Sequence, residues 1–287
     1  KNYLKKGFLI NLLFIGLFAI ISVIYFYPLL SGKQIKQSDI DQFSGMSKQI
    51  VDHRSQYNEE PFWLDNAFLG MPSYQVLVEY PFDLLDKLDR VIRFLPRPAD
   101  YLFVYLVSFF LLLLTMKVKS EYAFIGAIAF AFSTYLIIIL GVGHNTKALA
   151  IGYAPIVLAG LFKILDKKYL VGFIIGALGL GLQINANHYQ MTYYFLMLVG
   201  LITIINVFDD FFKKKISDGL NKIGVVCATT LFAISLNATA ILATQEYSDF
   251  STRGSSEISI NPDGSEKEDL SGLSNEYITE YLSLIHI

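Results

Sequence analysis

Long apolar stretches alternate with short polar ones along most of this chain. A run of about 20 apolar residues is long enough for an α-helix to cross the hydrocarbon core of a bilayer. The pattern predicts about seven such spans: Phe8–Leu30, Tyr101–Met116, Tyr122–Leu140, Ala148–Phe162, Leu170–Leu182, Met191–Phe208 and Ile223–Thr244. We therefore predict an all-α polytopic membrane protein.

The polar segments between these spans are of two kinds, which alternate along the chain. The lysine-rich kind holds Lys1, Lys5 and Lys6, then Lys117 and Lys119, then Lys163, Lys167 and Lys168, and finally Lys213–Lys215 and Lys222. The short turns on the other side hold only Lys147. Because lysine accumulates in cytoplasmic loops, the pattern predicts a cytoplasmic amino end and places the other turns outside.

Composition supports the membrane class and excludes several functions. Hydrophobic residues make up 54% of the chain and charged ones 17%, which is typical of an integral membrane protein. The net charge of −2 gives no reason to expect nucleic acid. No predicted span has an acidic or basic residue in its interior, which argues against an ion-coupled transporter. Cys227, the single cysteine, is expected to be buried in the seventh span, and it excludes an internal disulfide.

Four segments follow from this pattern. Residues 1–30 form the amino end and first span, 31–100 a large extracytoplasmic loop, 101–244 the remaining spans, and 245–287 the start of another extracytoplasmic segment. We expect the chain to be the amino-terminal fragment of a longer protein.

The large loop has its own helical pattern. Apolar residues recur at helical spacing in Asp41–Tyr57 and in Tyr80–Leu95, which predicts two amphipathic helices of the kind that lie along a membrane surface. The aromatic residues of the loop between them, Glu60–Gln75, have two interpretations: anchoring at the lipid headgroups or stacking on a sugar ring.

Asp39 and Asp41 follow the first span closely. A carboxylate at the membrane surface can act as a general base toward an acceptor hydroxyl, or it can hold a divalent cation. Aspartates at this position can also serve only to stabilise the amino end of the following helix. The spacing of the two aspartates alone favours this last interpretation. The polar residues of the other outer turns strengthen the case for a catalytic role.

The outer turns are dense in hydrogen-bonding side chains. They contain His144, Asn145 and Lys147, then Asn187, His188 and Gln190, and after the last span Glu246 and Arg253. Any one of them can be a simple polar cap, but together they predict one polar cleft. His144 and His188 with a carboxylate can bind zinc. Hydrogen bonding and phosphate contact by His144, Lys147, His188 and Arg253 are the favoured interpretation.

Four short strings carry a resemblance to a known family. They are Ser38-Asp39-Ile40-x-Gln42, Gly70-Met71-Pro72-x-Tyr74-Gln75, Gly143-His144-Asn145-x-Lys147 and Gln183-x-x-x-Asn187-His188-x-Gln190-x-Thr192-Tyr193-Tyr194. Together with the order of spans and loops, they resemble the YfhO-like family of the GT-C glycosyltransferase superfamily, especially its Bacteroidetes members. The resemblance runs from the first span to about Glu257.

This resemblance implies a GT-C-like bundle, a polyprenyl-phosphate-linked sugar donor and an envelope glycan acceptor, used at the outer face of the cytoplasmic membrane. It implies that Asp39 is the base, with Asp41 supporting it, and that the cationic and amide side chains of the turns bind the donor. The resemblance implies no certain cofactor, since such enzymes do not always use a metal, and a divalent cation stays an open alternative. Two alternatives stay open: a flippase or transporter of a lipid-linked glycan, and a non-catalytic envelope assembly protein.

Overall fold

The computed structural model of the chain describes residues 2–251, 260 and 264–265. Apart from a two-stranded hairpin and two 3₁₀ turns, the regular structure of this part is helical, which confirms the all-α class. The helices are α1 (Asn2–Tyr25), α2 (Ser38–Tyr57), α3 (Leu84–Ile92), α4 (Ala99–Thr115), α5 (Ser120–Ala131), α6 (Thr134–Val142), α7 (Asn145–Leu165), α8 (Tyr169–Asn185), α9 (Tyr189–Phe212), α10 (Ile216–Leu236) and α11 (Ala238–Ser248).

The chain divides into two compact units after Asn237. The first unit contains α1–α10 together with the hairpin strands β1 (Trp63–Leu64) and β2 (Met71–Pro72). The second unit begins with α11. The packing described below is that of the first unit.

Four helices within the described residues are long and apolar enough to cross a membrane, which gives the chain the architecture of a multi-pass membrane protein. They are Gly7–Tyr25 of α1, and the whole of α7, α9 and α10. The pair α5 and α6 makes a fifth if it is counted as one bent span. Helices α4 and α8 are apolar but shorter, with 17 residues each. The structure thus supports four or five spans by length, fewer than the seven predicted.

Two predicted spans are interrupted. The third, expected to be continuous over Tyr122–Leu140, bends by 50° between α5 and α6, where Ser133 adopts an extended backbone. The seventh, expected over Ile223–Thr244, begins seven residues earlier as α10 and stops at Asn237. The Asn237 side chain donates to the carbonyl oxygens of Gly181 and Ala233, at 3.1 and 3.0 Å. Serine and asparagine favour helix ends because their side chains compete for backbone hydrogen bonds.

The centre of the first unit is α7, which packs against α4, α8 and α9. Its contact with α8 is close because glycines face each other. A Cβ added to Gly160 would lie 2.4 Å from the Cα of Gly176, so no larger side chain fits at this crossing. Small residues at such positions let helix backbones approach in a membrane.

The lysine-rich turns meet at one face of the bundle. Lys117 lies 3.8 Å from Asp166, and Lys167 lies 2.5 Å from Asp218. These pairs join the turn after α4, the turn after α7 and the first turns of α10. Three of the four lysine-rich segments therefore share one physical face, at the opposite end of α7 from His144.

Two sequence expectations are wrong in this region. Lys222 was assigned to a loop, but it is a buried residue of α10 whose ammonium group lies 2.5 Å from Asp210 of α9. The long helices therefore do contain charged side chains near this end, neutralised as a pair. Cys227 was expected to be buried and is exposed, because it lies on the outer side of α10.

The two amphipathic helices of the large loop are confirmed as α2 and α3. Helix α3 is shorter than predicted because Asp83 caps it, accepting a hydrogen bond from Asp86 N at 2.9 Å. Its Leu85 packs in one apolar cluster with Val104 of α4, Tyr153 of α7 and Leu182 of α8. The loop is therefore part of the bundle rather than a separate domain.

Candidate functional site

The site is built around a contact between Asp39 and His144. Asp39 lies in the first turn of α2, and His144 directly precedes α7. Its carboxylate Oδ2 lies 2.5 Å from the imidazole Nδ1. Gln37, and not Asp39, occupies the cap position of α2. The carboxylate thus contacts another element of the fold, and it also lies in the first turn of α2, where a negative charge stabilises the helix.

The backbone around Gly143 makes this contact possible. Gly143 has a φ of +92°, a left-handed conformation that favours glycine. A Cβ at this position would lie 2.9 Å from the Cβ of Gln37. Gln37 also donates a short hydrogen bond from its side-chain Nε2 to the carbonyl oxygen of Leu140. The start of α2 is therefore held against the end of α6, and Asp39 is brought to His144.

Lys147 and His188 lie beside this pair. The Lys147 ammonium is 5.4 Å from the ring centroid of Tyr135, a cation–π contact that positions it. Burial lowers the pKa of His188, and the positive charges of Lys147 and His144 lower it further. Gln183, near the end of α8, donates to the carbonyl oxygen of Ala150, near the start of α7, at 3.0 Å, so the turn after α8 lies at the same end of the bundle as the turn before α7.

Two polar atoms at this convergence have no hydrogen-bond partner in the described part of the chain. They are Nδ1 of His188 and Oδ1 of Asn145, and both are buried. A buried polar atom without a partner loses its hydration without compensation. The amide oxygen of Asn145 can only accept a hydrogen bond, whereas the imidazole nitrogen of His188 can accept or donate one, depending on its tautomer.

The remaining predicted residues are less closely involved. Asp41 is exposed and lines a shallow hollow of about 550 Å³ together with Lys36 and Gln42. Asn187 adopts a left-handed backbone, with a φ of 58°, and so shapes the turn. Gln190 is exposed and donates to the hydroxyl of Tyr194 on its own helix, at 3.5 Å.

The two predicted residues after the last span follow Asn237, where the first unit ends. Glu246 belongs to α11 in the second unit. Arg253 lies outside the described residues. Within the described ranges no three His, Cys, Asp or Glu side chains form a cluster that could hold a metal ion. The zinc interpretation of His144 and His188 therefore has no support from the geometry.

Sequence reasoning missed a buried ionic cluster under α3. Arg93 donates to Asp89 from Nε at 2.8 Å and to Asp100 from Nη1 at 3.0 Å. The hydroxyl of Tyr153, in α7, donates to the other oxygen of Asp89 at 2.5 Å. Asp89 and Arg93 stand four residues apart on an amphipathic helix, a spacing that does signal an ion pair. Nothing in the sequence shows that this pair is buried.

The lowered pKa of His188 predicts a pH dependence of stability. In the unfolded chain His188 titrates near its ordinary value of 6.5, whereas in the folded chain it stays neutral to lower pH. The stability contributed by the neutral His188 side chain is thus fully present above its unfolded-state pKa. It is lost as the pH falls toward the pKa of the folded state. We expect the thermal unfolding midpoint of the wild type to fall more than that of His188→Asn between about pH 7.5 and about pH 5.5.

His53→Asn is the matched control, because it removes an imidazole from α2, away from Lys147 and His144. The midpoint of this variant should follow the wild type over the same range. If the unfolding midpoints of the wild type and His188→Asn change in parallel with pH in detergent, burial does not lower the pKa of His188.

Comparison with known proteins gives no relative. No family model, no curated protein and no solved structure matches the chain.

Proposed function

We propose that this chain belongs to a membrane glycosyltransferase of the YfhO-like, GT-C type. It would move a sugar from a polyprenyl-phosphate-linked donor to an envelope glycan on the outer face of the cytoplasmic membrane. The observation that carries the proposal is the Asp39–His144 contact of 2.5 Å, at the ends of membrane-spanning helices and beside Lys147. It joins the proposed base, Asp39, to the histidine that holds it, close in the chain to the cation that we assign to the donor phosphate.

The chemistry assigns one task to each side chain. Asp39 takes the proton from the acceptor hydroxyl as its oxygen attacks the anomeric carbon of the sugar. The bond between that carbon and the donor phosphate breaks, and polyprenyl phosphate leaves with the electron pair. Lys147, His188 and Asn145 contact the phosphate, and His144 holds the Asp39 carboxylate in place. No step requires a metal.

The donor's apolar chain needs space within the membrane. An apolar groove of about 470 Å³ lies between α4 and α8, across α7 and beneath α3. Leu111, Ile156 and Leu178 are among its lining residues. Such a groove suits an isoprenoid chain, which has no hydrogen-bonding groups, and it supports a lipid-linked rather than a soluble donor.

The decisive test is release of sugar from lipid by purified protein in detergent, where no sidedness exists. With a polyprenyl-phosphate sugar and a glycan acceptor, a transferase forms a glycosidic bond and liberates polyprenyl phosphate. A flippase or an assembly protein leaves the donor intact. Intact donor after long incubation, with binding of the donor demonstrated in the same sample, would contradict the proposal.

The proposal includes a topology of seven passes, in which the short helices α4 and α8 also cross and the amino end is cytoplasmic. The meeting of the lysine-rich turns at one face supports it. In a Cys227→Ser background, Ser55→Cys should react with an impermeant thiol reagent on intact cells, and Ser217→Cys should not. Labelling of Ser217→Cys from outside would contradict this topology and show that the amino end lies outside.

A further inference from the structure

Residues 61–73 form a small hairpin whose tip is apolar and exposed. Strands β1 and β2 pair antiparallel, with Trp63 opposite Pro72 and Leu64 opposite Met71. At the tip, Phe68 is 83% exposed and Leu69 is 106% exposed, so neither side chain packs against the described protein. No charged residue stands between Asn66 and Pro72.

The backbone of the tip is strained in a way that turns these side chains outward. Phe68, Leu69 and Gly70 all have left-handed φ values, of 50°, 64° and 118°. Bulky residues adopt this region only where the surrounding structure imposes it. At Gly70 a Cβ would lie 2.8 Å from the ring of Trp63, so the indole covers the glycine. The turn therefore displays Phe68 and Leu69 rather than folding them inward.

Polar contacts with α2 fix the base of the hairpin. The side-chain oxygen of Gln49 accepts hydrogen bonds from the backbone N–H groups of Asp65 and Asn66, at 3.0 and 3.3 Å. Arg54 forms ion pairs with Glu60, at 2.7 Å, and with Glu79, at 3.2 Å. The polar groups at the base are thus paired within the protein, and Phe68 and Leu69 at the tip are the most exposed apolar side chains of the hairpin, followed by Phe62 and Trp63.

Both ends of the loop that carries the hairpin are fastened at the ends of bundle helices. On one side, Asp39 contacts His144 at the start of α7. On the other, Asn185 at the end of α8 donates to Asp83 at 3.3 Å. The two ends of the loop are therefore fixed on the face of the bundle that carries the candidate site.

We propose that this tip inserts into the surface of the lipid bilayer, so that Phe68 and Leu69 lie among the upper acyl chains. An apolar side chain enters this boundary to a depth of roughly 5–10 Å without desolvating an ionised group. Indole rings such as that of Trp63 favour the headgroup level just above it. A carbohydrate site would need hydrogen-bonding side chains around an open aromatic face. From Ala67 to Pro72 no side chain carries a hydrogen-bonding group, so the bilayer is the better match for this stretch. The inference does not depend on the transfer reaction.

Trp63 provides a direct readout, because it is the single tryptophan of the chain and belongs to the hairpin. The chain is reconstituted in phosphatidylcholine vesicles brominated near either the glycerol end or the methyl end of the acyl chains. We expect Trp63 emission to be quenched more by bromine near the glycerol end, and iodide in the buffer to quench it only weakly. The double variant Phe68→Ser/Leu69→Ser should reduce the lipid quenching by half or more.

Phe82→Ser/Leu84→Ser is the matched control, because it also removes two exposed apolar side chains from the same loop, outside the hairpin. Its Trp63 quenching should equal that of the wild type. If the double tip variant is not monodisperse, Leu69→Ser alone replaces it, since a fully exposed side chain contributes no packing.

Three results would overturn the proposal. The first is strong quenching by iodide with none by brominated lipid, which places the hairpin in water. The second is unchanged lipid quenching in the tip variant, which shows that Phe68 and Leu69 do not anchor the hairpin in the bilayer. The third is a shift of Trp63 emission by a soluble oligosaccharide without lipid quenching, which assigns the tip to carbohydrate.

Discussion

Replacing Asp39 by Asn should lower the turnover of sugar transfer on the order of 10²–10⁴-fold, the usual effect of losing a positioned general base. The substitution keeps the size and planarity of the side chain, so the contact region with His144 stays filled. The Michaelis constant for the donor should change little, because the donor phosphate is assigned to other side chains. Turnover is measured in detergent with a polyprenyl-phosphate sugar.

Asp41→Asn is the matched control, since it makes the same change two residues further along α2 at an exposed position. Its turnover should fall between those of the wild type and Asp39→Asn. Lys147→Ala should instead raise the Michaelis constant for the donor, because a cation paired with phosphate acts in the ground state as well. Transfer at the wild-type rate by Asp39→Asn would reduce Asp39 to a structural partner of His144.

A further variant separates the roles within the Asp39–His144 pair. If the carboxylate itself takes the proton, His144→Gln should lower turnover less than Asp39→Asn does. An equal loss would show that the imidazole transfers the proton and that Asp39 is a positioning residue.

Replacing Arg93 by Met should destabilise the fold by about 3–5 kcal/mol, the range measured when one partner of a buried ion pair is removed. Asp89 is 5% exposed and Asp100 is 1% exposed, so neither carboxylate can be hydrated in place of the lost guanidinium. The effect is read as a lower thermal unfolding midpoint of the purified chain in detergent.

Arg90→Met provides a closely matched control on the same helix. Arg90 also pairs with an aspartate four residues before it, Asp86, but its side chain is 60% exposed. Exposed pairs of this kind contribute only about 0–1 kcal/mol. Similar midpoints for the two variants would show that α3 is not fastened to the bundle through Arg93.

Hydropathy and side-chain type predict much of this architecture. Apolar run length predicts the all-α class, and helical spacing predicts α2 and α3, because both depend on local pattern. Asp39 and His144 are expected in one cleft because each follows the outer end of a predicted span within a few residues. Depth in the membrane is therefore readable from the sequence. Their lateral contact is not, since it depends on Gln37 reaching Leu140 and on the space left by Gly143.

The errors arise where tertiary contacts decide local structure. Ser133 and Asn237 interrupt helices that hydropathy alone runs together, because each lies within a continuously apolar window. The sequence suggests that Arg93 lies on the surface. It is buried with its partner Asp89, which accepts a hydrogen bond from Tyr153 of α7, 64 residues further along the chain. Cys227 was misplaced because hydropathy does not distinguish the lipid-facing side of a span from its packed side.

The pair formed by Asp210 and Lys222 constrains how this region can enter the membrane during synthesis. The two residues are 12 apart in the chain, so the carboxylate is made first and has no countercharge until the next helix emerges. A carboxylate costs about 2.5–3.5 kcal/mol at the centre of a membrane helix on insertion scales, and Asp210, in the last turn of α9, carries part of that cost if it enters the membrane unpaired. We expect the end of α9 to stay at the aqueous surface until then, and α9 and α10 to integrate together as one helical hairpin.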